Sequence, residues 1–233
     1  MKLFSFTLLK LEFRRNLKGL LIWSFSLALS LFLVILVYPM VQDMMDVLSD
    51  MLEYLESINS GFVGLLEVFG GIPDNGIEYF ATEGALFLQL LGGIFAALLG
   101  FSMINRDEKE KTVEVIHVLP ISRFALLLTK MIHVAIALFL FTAIQIGSVH
   151  LGFLFVSPSE NIAELWRFGL FDYLMFLMIA YLSMGLAITI KPNQSNLIAI
   201  MIPFPLYIFT MLAFATNNEY LKLLKYLSPY TFT

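Results

Sequence analysis

Gly19 to Val41 is a run of 23 residues without a single charged side chain. As a helix it reaches roughly 35 Å, enough to cross a hydrocarbon core of about 30 Å. Four more apolar runs follow, at 84–104, 124–155, 168–190 and 197–215. Across the whole chain 59% of residues are hydrophobic and only 14% are charged, where soluble domains carry about 25% charge. The sequence therefore predicts an all-α polytopic membrane protein with five transmembrane helices in a single domain.

The segments between the runs differ in charge. Residues 1–18 alternate Leu3, Phe4, Phe6, Leu8, Leu9, Leu11 and Phe13 with Lys2, Lys10, Glu12, Arg14, Arg15 and Lys18. That pattern predicts an amphipathic helix in the membrane interface, its cations near anionic headgroups. No small-residue cleavage site follows the first apolar run, so no removable signal peptide is read. Residues 42–83 hold nine acids and no Lys or Arg; Met44, Leu48, Met51, Leu52, Leu55 and Ile58 recur there at helical spacing. The cluster Gly70-Gly71-Ile72-Pro73-Asp74-Asn75-Gly76 reads as a turn. Counting Lys and Arg puts the N-terminus and residues 105–123 on the cytoplasmic side, and 42–83 outside.

Within the spans, three features stand out. Gly92, Ala96 and Gly100 form a small-residue row at steps of four, suited to close helix packing. Pro203 and Pro205 free backbone carbonyls inside the fifth run and predict a kinked or bundle-facing helix. Gln89, Gln145 and Asp172 are polar groups at membrane depth; an acid within a span is a candidate for a transport role, but Asp172 is only five residues past Arg167, which favours a structural place at the outer interface. Residues 216–233 read as an extracytoplasmic interfacial segment.

Several chemistries are excluded. With no cysteine there is no disulfide, thiol nucleophile or thiolate metal site. No P-loop is present, so the chain does not hydrolyse ATP itself. His117, His133 and His150 are too far apart along the spans to share a metal, and no metal site, bound cofactor, catalytic residue or nucleic-acid partner is expected.

Asn105 to Lys130, NRDEKEKTVEVIHVLPISRFALLLTK, mixes both signs of charge between two apolar runs. Val113, Val115, Ile116, Val118 and Leu119 form an apolar patch; Pro120 interrupts any helix, and Ser122 is placed to cap a new one. The order Glu108-Lys109-Glu110-Lys111-Thr112-x-Glu114, then Pro120-Ile121-Ser122-Arg123, then Lys130 resembles the cytoplasmic coupling segment of type-2 ABC transporter permeases. Lys111 stands where many members have glycine.

The resemblance implies an N-terminal interfacial helix and a cytoplasmic coupling helix between spans two and three. It also implies a sixth span after Thr233. It assigns ATPase coupling to Glu108, Glu110, Thr112, Glu114, Ile116, Leu119, Pro120, Ser122, Arg123 and Lys130, with Arg123 and Lys130 anchoring the return to the inner leaflet. Implied partners are two ABC ATPase subunits, which carry the ATP and magnesium, a second permease subunit (identical or different), and the lipid bilayer. The implied activity is export of an amphipathic or apolar molecule across a prokaryotic plasma membrane. A non-transporting scaffold or sensor, binding a partner through its acidic outer loop, is the alternative reading.

Overall fold

A computed structural model of the protein describes residues 5–56, 75–110, 122–157, 162–190, 194–215 and 223–231. Among these residues there is no strand, and five helical stretches are long and apolar enough to cross a membrane.

The first helix, α1 (Phe6–Glu56), runs 51 residues without interruption. The segment read as a separate interfacial helix, the first span and the start of the acidic segment are thus one element. Its charges at the N-terminal end do not break it, because they divide by face. Leu8, Leu9 and Glu12 are buried, while Lys10, Leu11, Arg14 and Lys18 are exposed. Pro39 lies inside the helix and is exposed; it removes one backbone donor without ending the run.

The second span begins earlier than the apolar run suggests. A short helix, α2 (Gly76–Tyr79), opens it, and a π-helical turn, Phe80–Gly84, passes into α3 (Ala85–Lys109). The start is fixed by Asn75, whose side chain accepts from the Glu78 N–H at 2.9 Å while its amide donates to the Glu78 carboxylate at 3.1 Å. This reciprocal cap satisfies donors at the helix end. Asn75-x-x-Glu78 was legible in the sequence, but the surrounding glycines and proline drew it into a turn.

Helix α4 (Arg123–Val156) starts at Ser122, whose hydroxyl accepts from Ala125 N–H at 3.1 Å, as its position after Pro120 predicts. Helix α5 (Ile162–Thr189) begins six residues before the expected fourth span, so Trp166 and Arg167 are helical rather than part of a loop. The fifth run divides into a 3-10 turn (Asn196–Met201) and α6 (Pro203–Ala215). Pro203 is the first residue of α6 and Pro205 the third, positions whose N–H groups lack helical partners in any case. The prolines therefore start a helix instead of kinking one. Two further 3-10 turns, Leu223–Tyr226 and Pro229–Thr231, follow. The last carries Tyr230 into the bundle, where it is 4% exposed and stacks edge-on against Tyr207; the terminal segment is not simply an interfacial helix.

Two parallel pairs build the bundle. α1 runs along α4, joined where Gln145 Nε2 donates to the Ser24 carbonyl at 3.2 Å and the Ser148 hydroxyl to the Ala28 carbonyl at 2.6 Å. α3 runs along α5, and Gly92 and Gly100 make this possible. A Cβ on Gly92 would strike the Phe176 ring, and one on Gly100 the Ala180 carbonyl. Ala96 between them is fully buried. α4 and α5 are antiparallel neighbours: Tyr181 donates to the Met131 carbonyl at 3.2 Å and Tyr173 to the Ala135 carbonyl at 3.3 Å. In a bilayer such bonds and close packing hold helices together, since hydrocarbon gives no drive for apolar side chains to associate. Phe101, Phe141, Phe176, Leu31 and Ile35 fill the centre, while Phe25, Leu33, Leu140 and Leu174 point outward.

Candidate functional site

The charges of α1, the end of α3 and the start of α4 meet at one place. Lys130 on α4 is 2% exposed and bonds both the Asp107 carboxylate and the Met103 carbonyl of α3; its Nζ is also 3.8 Å from Glu12 of α1. Arg106 reaches back across the junction, donating to Glu12 at 3.0 Å and to the Asn16 side-chain oxygen at 2.9 Å. Arg15 bonds Asp107 at 3.1 Å and Glu110 at 2.5 Å. Three acids (Glu12, Asp107, Glu110) thus face three cations (Arg15, Arg106, Lys130), and the formal charges cancel. Glu12 and Asp107 are 1% and 5% exposed. Desolvation at that depth is offset only when each charge has partners of the opposite sign and further hydrogen bonds. Here each charge has an opposite partner, and among the described residues Arg106 Nε alone of the buried nitrogens and oxygens of these six side chains lacks a hydrogen bond.

Asn16 extends the network to His133. Its oxygen is taken by Arg106, so its amide nitrogen faces His133 Nε2 at 3.0 Å. The amide donates, which leaves Nε2 as the acceptor and puts the ring proton on Nδ1. Phe13 packs edge-on against the His133 ring at 4.4 Å. Nearby, the Ser5 N–H is 3.4 Å from Thr129 Oγ1.

Arranged this way, the network clamps three helices at one end of the bundle. It also stands at the base of residues 111–121: Glu110 sits just before them, and Ser122 just after them caps the helix that carries Lys130.

Of the residues that the sequence assigned to coupling, Lys130 and Glu110 belong to the network. Lys130 does not anchor to headgroups, since it is buried and bonded within the protein. Ser122 is the α4 cap, and Arg123 is exposed. Thr112, Glu114, Ile116, Leu119 and Pro120 lie outside the described residues, as does the side chain of Glu108. Sequence reading missed Glu12, Arg15, Asn16, Arg106, Asp107 and His133 as a group. Acids and bases facing one another at the ends of apolar runs were the available signal, but nothing in the order of residues pairs position 12 with 106 or 130.

The intramembrane polar groups separate. Gln145 serves the α1–α4 joint. Asp172 is fully buried, with Gln89 of α3 as its polar neighbour. It is therefore inside the bundle, while Arg167, helical because α5 begins at Ile162, is turned outward. Among the described residues no group of three His, Asp or Glu is gathered to hold a metal ion.

Comparison with known proteins agrees with this architecture. Residues 6–233 match the family model described as ABC-2 family transporter protein. No curated protein and no solved structure matches the chain. With the family model covering nearly every residue, the chain belongs to the ABC-2 transporter family and is a membrane permease component of an ABC transporter.

Proposed function

We propose that this chain is the membrane subunit of an exporter that moves an amphipathic or apolar molecule outward, using ATP and magnesium bound by a separate ATPase. Two such permease chains, identical or different, pair and engage two ATPase subunits. The N-terminus and residues 105–123 face the cytoplasm of a prokaryotic cell, in its plasma membrane. The observation that carries the reading is the charged network at the two ends of residues 111–121. A loop that merely joined two spans has no need of a six-charge clamp at its base, whereas a segment that transmits force needs a stiff joint to the helices it moves.

In this account the apolar patch Val115, Ile116, Val118 and Leu119 seats on the ATPase, and Glu108 and Glu114 meet basic groups around it, while Glu110 stays in the clamp with Arg15. Pro120 fixes the corner. Closure of the ATPases then shifts the segment, and the network turns that shift into movement of α1, α3 and α4. The spans are aromatic-rich and nearly free of unpaired charge, which favours apolar or amphipathic cargo over a hydrophilic ion.

The test is reconstitution of the chain with its ATPase in sealed liposomes loaded with a fluorescent amphiphile. ATP-dependent movement of the dye, absent with a hydrolysis-dead ATPase, is the expected result. ATPase binding without any dye movement would leave only a force-transmitting or scaffolding role.

A further inference from the structure

Between α4 and α5, in the half of the bundle where His150 meets Trp166 edge-on at 6.3 Å, lies a cavity of about 150 Å³. Phe139, Thr142 and Ala143 of α4 and Trp166, Gly169 and Tyr173 of α5 line it. Gly169 lets the two helices converge beside it: a Cβ at that position would meet the Ile146 side chain. Phe139 and Tyr173 form an edge-to-face pair at 5.8 Å, and with Trp166 they make part of the wall aromatic.

One polar group in this lining is unused. Thr142 is 4% exposed, and its hydroxyl has no hydrogen-bond partner among the described residues. By contrast, the Tyr173 hydroxyl is already committed to the Ala135 carbonyl. A buried hydroxyl with no partner is destabilising, and such groups in native proteins call for an explanation. A bound molecule that offers one hydrogen bond supplies it. Size narrows the class. An apolar cavity of about 150 Å³ in another protein holds a benzene ring, and aromatic walls favour an aromatic guest through edge-to-face contacts.

We propose that this cavity is a binding site for a neutral phenolic ring of a membrane-dissolved molecule, its hydroxyl bonded to Thr142. The proposal gives the cargo of the exporter reading a chemical class and rests on that reading only for its physiological meaning. Binding itself needs no ATPase. The ring enters from the bilayer between α4 and α5, sits against Trp166 and Phe139, and leaves any longer apolar tail among the lipids.

Trp166 is a built-in reporter, because Trp23 is the only other tryptophan. In a Trp23→Phe background, in lipid nanodiscs, the fluorescence of Trp166 is titrated with 4-propylphenol and with propylbenzene, each expressed as concentration in the bilayer. The expected result is saturable change with both, the phenol binding about fivefold tighter, the size of one hydrogen bond. Thr142→Val should remove that preference while keeping the binding of propylbenzene. Ala143→Phe should abolish saturable binding of both, with Ala143→Leu as a smaller filling change should the larger one not insert. Non-saturable change, equal affinity of the two probes in the wild-type chain, or unchanged binding in the filled variants each overturns the proposal. Because no ATPase is present, failure here leaves the exporter reading standing. Binding here with no ATP-driven dye movement in the reconstituted complex has the opposite meaning.

Discussion

A lysine buried among hydrocarbon is stable only when its ammonium has acceptors on several sides. Lys130 has Asp107 and the Met103 carbonyl in direct contact and Glu12 at 3.8 Å. Replacing it with methionine keeps the volume and removes the cation, leaving two buried carboxylates short of a partner. Lys130→Met should destabilise the chain by about 3–5 kcal/mol, read as a lowered melting temperature in detergent. Adding Asp107→Leu should recover part of the loss, since removing both partners costs less than stranding one. A double variant less stable than the single one would mean that Asp107 answers to Arg15 alone. At the same scale, Arg123 is exposed with no ion pair among the described residues, and Arg123→Gln should change stability by less than about 0.5 kcal/mol.

At the scale of elements, small residues set how closely the helices approach. Gly100 faces the Ala180 backbone, which cannot swing aside. Gly100→Leu should therefore separate α3 from α5 and lower the melting temperature sharply. Gly147, in α4, has nothing within 4 Å of a built Cβ. Gly147→Ala should be neutral or stabilising, by up to about 1 kcal/mol. Equal melting temperatures for the two variants would place the small-residue row against lipid. The row itself was legible because a step of four stays on one face of a helix; its partner was not, since spacing along one helix says nothing about its neighbour. Helix starts followed the same division. Ser122 was read as a cap because Pro120 isolates it, while Asn75 was hidden among turn-forming neighbours. The continuity of α1 was hidden too: charges argue against a span, but they cannot reveal that Glu12 and Arg15 turn inward to partners nearly a hundred residues away.

For the whole molecule, hydropathy alone specified five membrane-length helices, because the bilayer demands unbroken apolar runs with every backbone group bonded inside the helix. The order of residues from Glu108 to Lys130 pointed to the family. The charged junction was legible only as ingredients, since it depends on which helix ends converge. The charge bias predicts the sidedness, and the chain has no native cysteine to interfere with a test. Cysteines placed at Glu53 and Lys109 should behave oppositely toward a membrane-impermeant thiol reagent on right-side-out cells. Position 53 should label and position 109 should not; the reverse pattern would invert the topology.

The central claim is that residues 111–121 meet the ATPase and that the charged network passes their motion to the spans. ATPase pull-down and cargo-stimulated hydrolysis, measured side by side on inserted wild-type, Ile116→Asp and Lys130→Met chains, test it most directly. An aspartate in the centre of the docking patch should abolish ATPase recovery, because a few desolvated apolar residues carry such interfaces. Lys130→Met should recover the ATPase as wild type does, yet lose the response of hydrolysis to cargo. Equal recovery and equal, cargo-responsive hydrolysis in all three chains would contradict the account, and the segment would then be no more than a loop between two spans.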